Sequence, residues 1–338
     1  MRSAVRSSLT LLVMVPTLAL AGDAQLALDH AVFESDHVVS GSYREGSIQV
    51  EKELKGKLAL RKLVVAREDL EPRDEDLAPG ARRLAGNGVF FLLGRFDGSG
   101  EDARSFIVRD GTRGVAWEGS VAYLGYRPGE DERLFLADIA SREDFERLLS
   151  SSVEKQKALD AALAVVDSKA RARACVALVE SARPATDGEL LDPGPDPFAL
   201  RALGEIGHVG ELDLLDELRA KARFEWLKPA CVRAMAPAPG SETRLEAIAR
   251  DKGSSEAEVV AAIDMLFSSE KADVAALEKL AADPRARVRR AVASALREKV
   301  KDLGTLEKLM KDEDQGVRDA ARDAARAAAR RLGLPLPD

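Results

Sequence analysis

Arg318, Arg322, Arg326 and Arg330 recur every four residues near the end of a 338-residue chain. Such spacing lines side chains along one face of a helix, and a row of guanidiniums there forms a basic strip that could dock an acidic protein partner or a polyanion. Asp319 and Asp323 precede Arg322 and Arg326 by three residues, a spacing for local ion pairs that hold an exposed helix together. The same pattern also suits a polar helix that closes a helical array. Capping and docking are therefore both open readings of this segment.

The remaining chemistry-bearing residues do not converge. The three histidines, His30, His37 and His208, are scattered. There is no glycine-rich phosphate loop after a strand, no Gly-x-Ser-x-Gly elbow and no His-Glu-x-x-His. Two acidic stretches, Glu68 to Asp76 and Asp97 to Asp102, lack the alternating oxygen ligands and bend glycine of a calcium loop and read as solvated loops. Cys175 and Cys231 lie 56 residues apart, about two periods of the repeat described below, too far to bridge. They are expected as buried free thiols. No catalytic, cofactor-binding or metal-ligating residue is assigned, no cofactor is expected, and the chain reads as non-enzymatic.

The two halves differ in composition. Eleven of the 15 aromatic residues and 15 of the 25 glycines precede residue 150, whereas 39 alanines fall after it. Aromatic and glycine enrichment favours strands and turns, and alanine favours closely packed helices. The boundary is placed near a short helix from Arg142 to Leu149 followed by Ser150-Ser151-Ser152.

Arg2 and Arg6, an apolar run from Leu9 to Leu20 and Ala19-Leu20-Ala21 before Gly22 follow the order of a secretory signal cut after Ala21. Twelve residues interrupted by Pro16 fall short of the ~20 needed to span a bilayer. No cysteine near the cut offers a lipid attachment point. The expected location is periplasmic or secreted, with no membrane span in the mature chain. Losing two arginines from a chain of net charge −7 leaves −9, which argues against nucleic acid as a partner. Between Arg285 and Arg331, 14 basic residues oppose 8 acidic ones, so this end is a basic cap on an acidic body.

In the first half, His37 to Tyr43 and Ile48 to Leu54 read as a hairpin turned at Glu45-Gly46. Leu60 to Ala66, Val89 to Phe96, Arg104 to Val108 and Val115 to Leu124 supply further strands. Val89-Phe90-Phe91-Leu92-Leu93, apolar on both faces, belongs at the centre of the sheet. Five or six antiparallel strands in this length make a small barrel or sandwich. In the second half, Ala172, Leu200, Val232, Val260, Val288 and Val317 recur at 28, 32, 28, 28 and 29 residues, each opening an apolar helical run. Leu215, Leu245, Leu277 and Leu306 repeat between them. Two ladders with one period mean one helix pair per repeat, each needing a neighbour to bury its stripe.

Ser35-Asp36-His37-Val38-Val39-Ser40-Gly41, Glu53-Leu54-Lys55-Gly56-Lys57 and Gly88-Val89-Phe90-Phe91-Leu92 resemble the netrin-like or tissue-inhibitor-like barrels of the oligonucleotide/oligosaccharide-binding (OB) fold, over residues 31–96. The N-terminal cysteine of the inhibitor members is absent, so inhibition by that route is not implied. Asp196-Pro197 before Leu200-Arg201-Ala202-Leu203-Gly204, Asp283-Pro284 before Val288-Arg289, and Asp312-Glu313-Asp314 before Val317-Arg318 are similar to short HEAT repeats of the phycobilisome-lyase kind, over residues 155–332. Asp can cap a helix start, and Pro in the first turn loses no hydrogen bond.

The expectation is thus a secretory signal at 1–21, an antiparallel OB-like β-barrel at 25–140, a linker and short helix at 141–152, an all-α HEAT-type solenoid at 153–332 and a tail at 333–338. Its function is that of an exported scaffold binding a protein partner, acidic if the arginine strip docks it. The alternative is regulation or inhibition of an extracytoplasmic enzyme through the β-domain.

Overall fold

The structure, a computed structural model, describes residues 28–44, 47–56, 62–64, 86–92, 94–96, 106–108, 113–118, 121–124, 142–183, 195–268 and 274–335. Ala21, both acidic stretches and most of the proline-rich 184–197 segment lie outside these residues. The chain divides into two compact units, Met1–Ala161 with Ser181–Phe198, and Ala162–Glu180 with Ala199–Asp338.

The first unit holds a helix through residues 28–34 (α1) and eight strands: β1 His37–Arg44, β2 Ser47–Lys55, β3 Lys62–Val64, β4 Gly86–Leu92, β5 Gly94–Phe96, β6 Phe106–Val108, β7 Arg113–Glu118 and β8 Val121–Leu124. Six form one antiparallel sheet in the order β3-β2-β1-β4-β7-β8, while β5 and β6 pair separately. The hairpin expected at 37–54 is present, with Tyr43 opposite Ile48. β4 sits inside the sheet between β1 and β7, and Phe90, Phe91 and Leu92 are almost wholly buried. One expected strand, 115–124, is instead a second hairpin, β7–β8.

Among the described residues the sheet is open, with β3 and β8 at its ends. These strands do not by themselves show the closed barrel expected from the sequence. Among the described residues β3 pairs with Ser47 to Gln49 of β2.

Helix α2 (Arg142–Leu163) follows. It runs straight through Ser150-Ser151-Ser152, where the sequence suggested a boundary, because Ser152 is buried and its hydroxyl is satisfied inside the unit.

The second unit is helical: α3 Ser168–Glu180, α4 Pro197–Val209, α5 Leu212–Ala220, α6 Leu227–Met235, α7 Ser241–Arg250, α8 Glu256–Ser268, α9 Val274–Lys279, α10 Ala286–Leu296, α11 Gly304–Leu309 and α12 Gln315–Leu332. Helix α4 starts in the first unit and continues into this one. α6, α8, α10 and α12 pack each on the next, and α5, α7, α9 and α11 each pack against the helix that follows them. This alternation is what one helix pair per repeat requires. The buried ladder differs from the expected one at two rungs: Leu200 is 38% exposed and Val260 half-buried, while Ala199 and Val259 are fully buried. At 100° per residue, a one-residue slip turns a side chain off the buried stripe. Gly207 permits a close approach, since a Cβ there would overlap the Ala234 carbonyl of α6.

Candidate functional site

The outer sides of α10 and α12 enclose a groove of about 570 Å³. Helix α10 buries Val288, Val292, Ala293 and Leu296, and that stripe turns Arg290, Ser294 and Arg297 outward. Helix α12 buries Val317, Ala321, Ala324, Ala325 and Ala328, which leaves Asp319 and Asp323 exposed. The groove therefore has two guanidiniums on its α10 side, with Glu298 beside Arg297 at 3.5 Å, and carboxylates on its α12 side. Gly316 and Ala320 keep the α12 side shallow, and Phe267 of α8 closes one part of the lining.

Arg289 holds this region together from beneath. It is buried, and its Nε and Nη2 donate to Asp312 Oδ2 at 2.7 Å and Oδ1 at 2.8 Å. Its Nη1 donates to the carbonyls of Asp283 and Pro284 at 2.9 and 3.0 Å. One guanidinium thus fixes the loop before α10 to the loop before α12. The Arg289 guanidinium beside Asp312 holds that carboxyl below its ordinary range. Asp314 caps α12, accepting from the Val317 N–H at 3.0 Å, and Gly333 (φ +69°) ends it.

The four arginines of the strip separate in role. Arg318 donates from Nη1 to the Asp312 and Glu313 carbonyls, both at 2.8 Å, and from Nη2 to Gln315 Oε1 at 2.6 Å. Arg322 pairs with Asp319 at 3.1 Å. Arg326 and Arg330 are exposed. Each four-residue step overshoots a full turn by about 40°, so the row winds around the helix, and its first member reaches the preceding loop while its last two face solvent.

Of the histidines, His30 bonds the Pro195 carbonyl through Nε2 at 3.1 Å, and His208 is exposed inside α4 rather than in a turn. His37 lies on β1, and burial lowers its pKa. Cys175 and Cys231 are free and buried, as expected, and burial pushes the Cys231 thiol up to about 12. Among the described residues no group of three His, Cys, Asp or Glu side chains could hold a metal ion, and no helix is long and apolar enough to cross a membrane.

Sequence reasoning missed a buried charge cluster in the first unit. Asp29 of α1 accepts from Ser152 Oγ (2.6 Å), Lys155 Nζ (3.0 Å) and Arg183 Nε (2.9 Å). Asp196 accepts from Lys155 Nζ (2.6 Å) and the Arg183 N–H (3.2 Å) through Oδ2, and from the Phe198 N–H (3.1 Å) through Oδ1, which caps α4. Phe198 packs edge-on against Phe33, 5.5 Å between ring centres, with Lys155 5.7 Å from its ring. Two carboxylates facing two cations make a neutral, hydrogen-bonded clasp. The sequence signal was weak: one aspartate, Asp29, inside the apolar stretch from Leu26 to Phe33.

The fold and the groove define a mostly helical chain with an open antiparallel sheet and a charged surface groove. In comparisons with known proteins, no family model, curated protein or solved structure matches the chain.

Proposed function

We propose that the chain is an exported, non-enzymatic protein whose helical unit works as a HEAT-type solenoid scaffold for a protein partner. The observation that carries this reading is the repeated stacking of α6, α8, α10 and α12, each braced by one further helix. Stacked repeats offer long, rigid surfaces suited to extended partners. The α10–α12 groove itself mixes Arg290 and Arg297 with Glu298, Asp319 and Asp323, so the basic character rests on the exposed Arg326 and Arg330 further along α12. An acidic protein segment is the partner these guanidiniums favour. The β1–β2–β3 meander with β4 on the far side of β1 supports an OB-like reading of the first unit. Arg2, Arg6, the apolar run 9–20 and Ala21 support export.

The test is quantitative affinity purification of the tagged full-length chain from an envelope fraction. Wild type is compared with Arg326→Glu/Arg330→Glu and with Arg290→Glu/Arg297→Glu. A partner lost from either variant at unchanged melting temperature supports scaffolding through this surface. An unchanged partner set removes it. The intact mass of the purified chain checks cleavage after Ala21.

A further inference from the structure

We propose that the cleft between the β1–β2 hairpin and α2 binds a basic peptide segment that carries an apolar side chain. The cleft has a volume of about 390 Å³, within the range of about 300–1,000 Å³ typical of ligand pockets. Its floor is carbon: Val89 of β4 and Phe145, Leu149 and Val153 of α2, all buried in the protein yet lining the opening.

The strand side is shaped by two irregularities. Val38 pairs with Lys55, Val39 with Glu53, Ser40 with Lys52 and Gly41 with Val50, so Leu54 and Glu51 are extra residues in β2. A bulge re-aims the side chain of its extra residue, and both of these residues line the cleft. Gly41 lets β1 and β2 approach closely beside the second bulge, where a Cβ would overlap the Gln49 carbonyl.

The rim carries charge in excess of one sign. Glu51 and Glu53 come from β2, and Glu146 and Glu154 from α2, against Lys52 and Lys157. Lys157 sits 2.7 Å from Glu154 and neutralises it. Glu51 and Glu53 of β2 then flank the single ammonium of Lys52 above an apolar floor. The complementary ligand has an apolar tip flanked by cations, which is the layout of a leucine or phenylalanine between lysines or arginines. An acidic peptide meets like charge, and a small hydrated cation leaves the floor uncovered. Bulges also discourage pairing of a new strand along β2, so side chains rather than a backbone ladder carry the recognition.

The experiment uses the full chain and a fluorescein-labelled heptapeptide alternating lysine with leucine, followed by anisotropy at 0.15 M salt, with a glutamate-for-lysine peptide as the control. The lysine peptide is expected to bind saturably and the control not to. Glu51→Lys/Glu53→Lys weakens binding about tenfold or more, because two attractions become repulsions. Ser150→Trp, which places a large ring at the cleft wall, does the same, and both variants melt as wild type does. Arg290→Glu/Arg297→Glu binds the peptide as wild type does, which separates this site from the helical groove. Absence of saturable binding, equal binding of the acidic peptide, or wild-type affinity in the charge-reversed or tryptophan variant overturns the proposal.

Discussion

Replacing Lys155 by methionine takes one charge out of a buried set of four. Asp29 and Asp196 are fully buried, whereas Lys155 and Arg183 keep 13% and 28% of their side chains exposed. In the wild type two carboxylates face two cations; in Lys155→Met they face one. Methionine fills most of the lysine stem's volume beside Phe198, so the loss is electrostatic rather than a cavity. The deficit falls most heavily on Asp196, whose Oδ2 lies 2.6 Å from the ammonium. Removing one partner of a buried pair costs about 3–5 kcal/mol, and the partial exposure of Lys155 places the expected value at the lower end, about 3 kcal/mol. That is a large share of the roughly 5–15 kcal/mol that stabilises a domain. Urea denaturation at pH 7, followed by far-ultraviolet circular dichroism, measures it. Adding Asp196→Asn keeps the cap on the Phe198 N–H and returns the cluster to one carboxylate, Asp29, paired with the Arg183 guanidinium, so the double variant should recover about 1 kcal/mol or more. A loss below about 1 kcal/mol in Lys155→Met, or a double variant no more stable than the single one, refutes the view that charge balance governs this cluster.

Arg289→Met should destabilise the helical unit by about 3–5 kcal/mol at pH 7, because it strands the Asp312 carboxylate and two carbonyls. The folded-state pKa of Asp312 is depressed below 3.8, so the stability this carboxylate contributes is present above that value and is lost as pH falls through the lower folded one. Urea titrations should therefore show the Arg289→Met deficit shrinking as pH falls below the ordinary carboxylate value of 3.8. Cys231 has the opposite sign: its thiol holds a proton to about 12 when folded, against an ordinary 9.0. Stability should fall as pH rises above 9, and in the native protein at pH 8 Cys231 should fail to react with an aromatic disulfide reagent that labels it in urea.

The legible parts of this protein were those written at short range. The helices of the second half, the hairpin at 37–54 and the covered strand at 89–92 all follow from neighbours a few positions apart, and the structure contains each. The exposed Leu200 shows the limit: hydrophobic identity suggested a rung of the ladder, but the helix phase set by its neighbours put Ala199 there. The arginine row shows the same limit of spacing: four residues is close to one turn, and the small remainder accumulates over three steps, so Arg318 reaches the preceding loop while Arg326 and Arg330 are exposed. The clasp was out of reach, since Asp29 meets partners 123, 126 and 154 residues away. The cleft depends on two bulges in β2 that alternation alone does not announce.

Asp196 performs two tasks with one side chain, receiving the Phe198 N–H on one oxygen and Lys155 on the other. In mutational terms this makes position 196 a bottleneck. Serine or threonine could replace the cap but not the charge, and glutamate could carry the charge from a different reach. A lineage that drifts at Lys155 must first, or simultaneously, neutralise Asp29 or Asp196; asparagine, serine or threonine at 196 keeps the cap and leaves Asp29 paired with Arg183, whereas neutralising Asp29 takes the carboxylate from the Arg183 guanidinium. The accessible path through sequence space therefore runs by way of a neutral capping residue at 196, and it orders the substitutions in time.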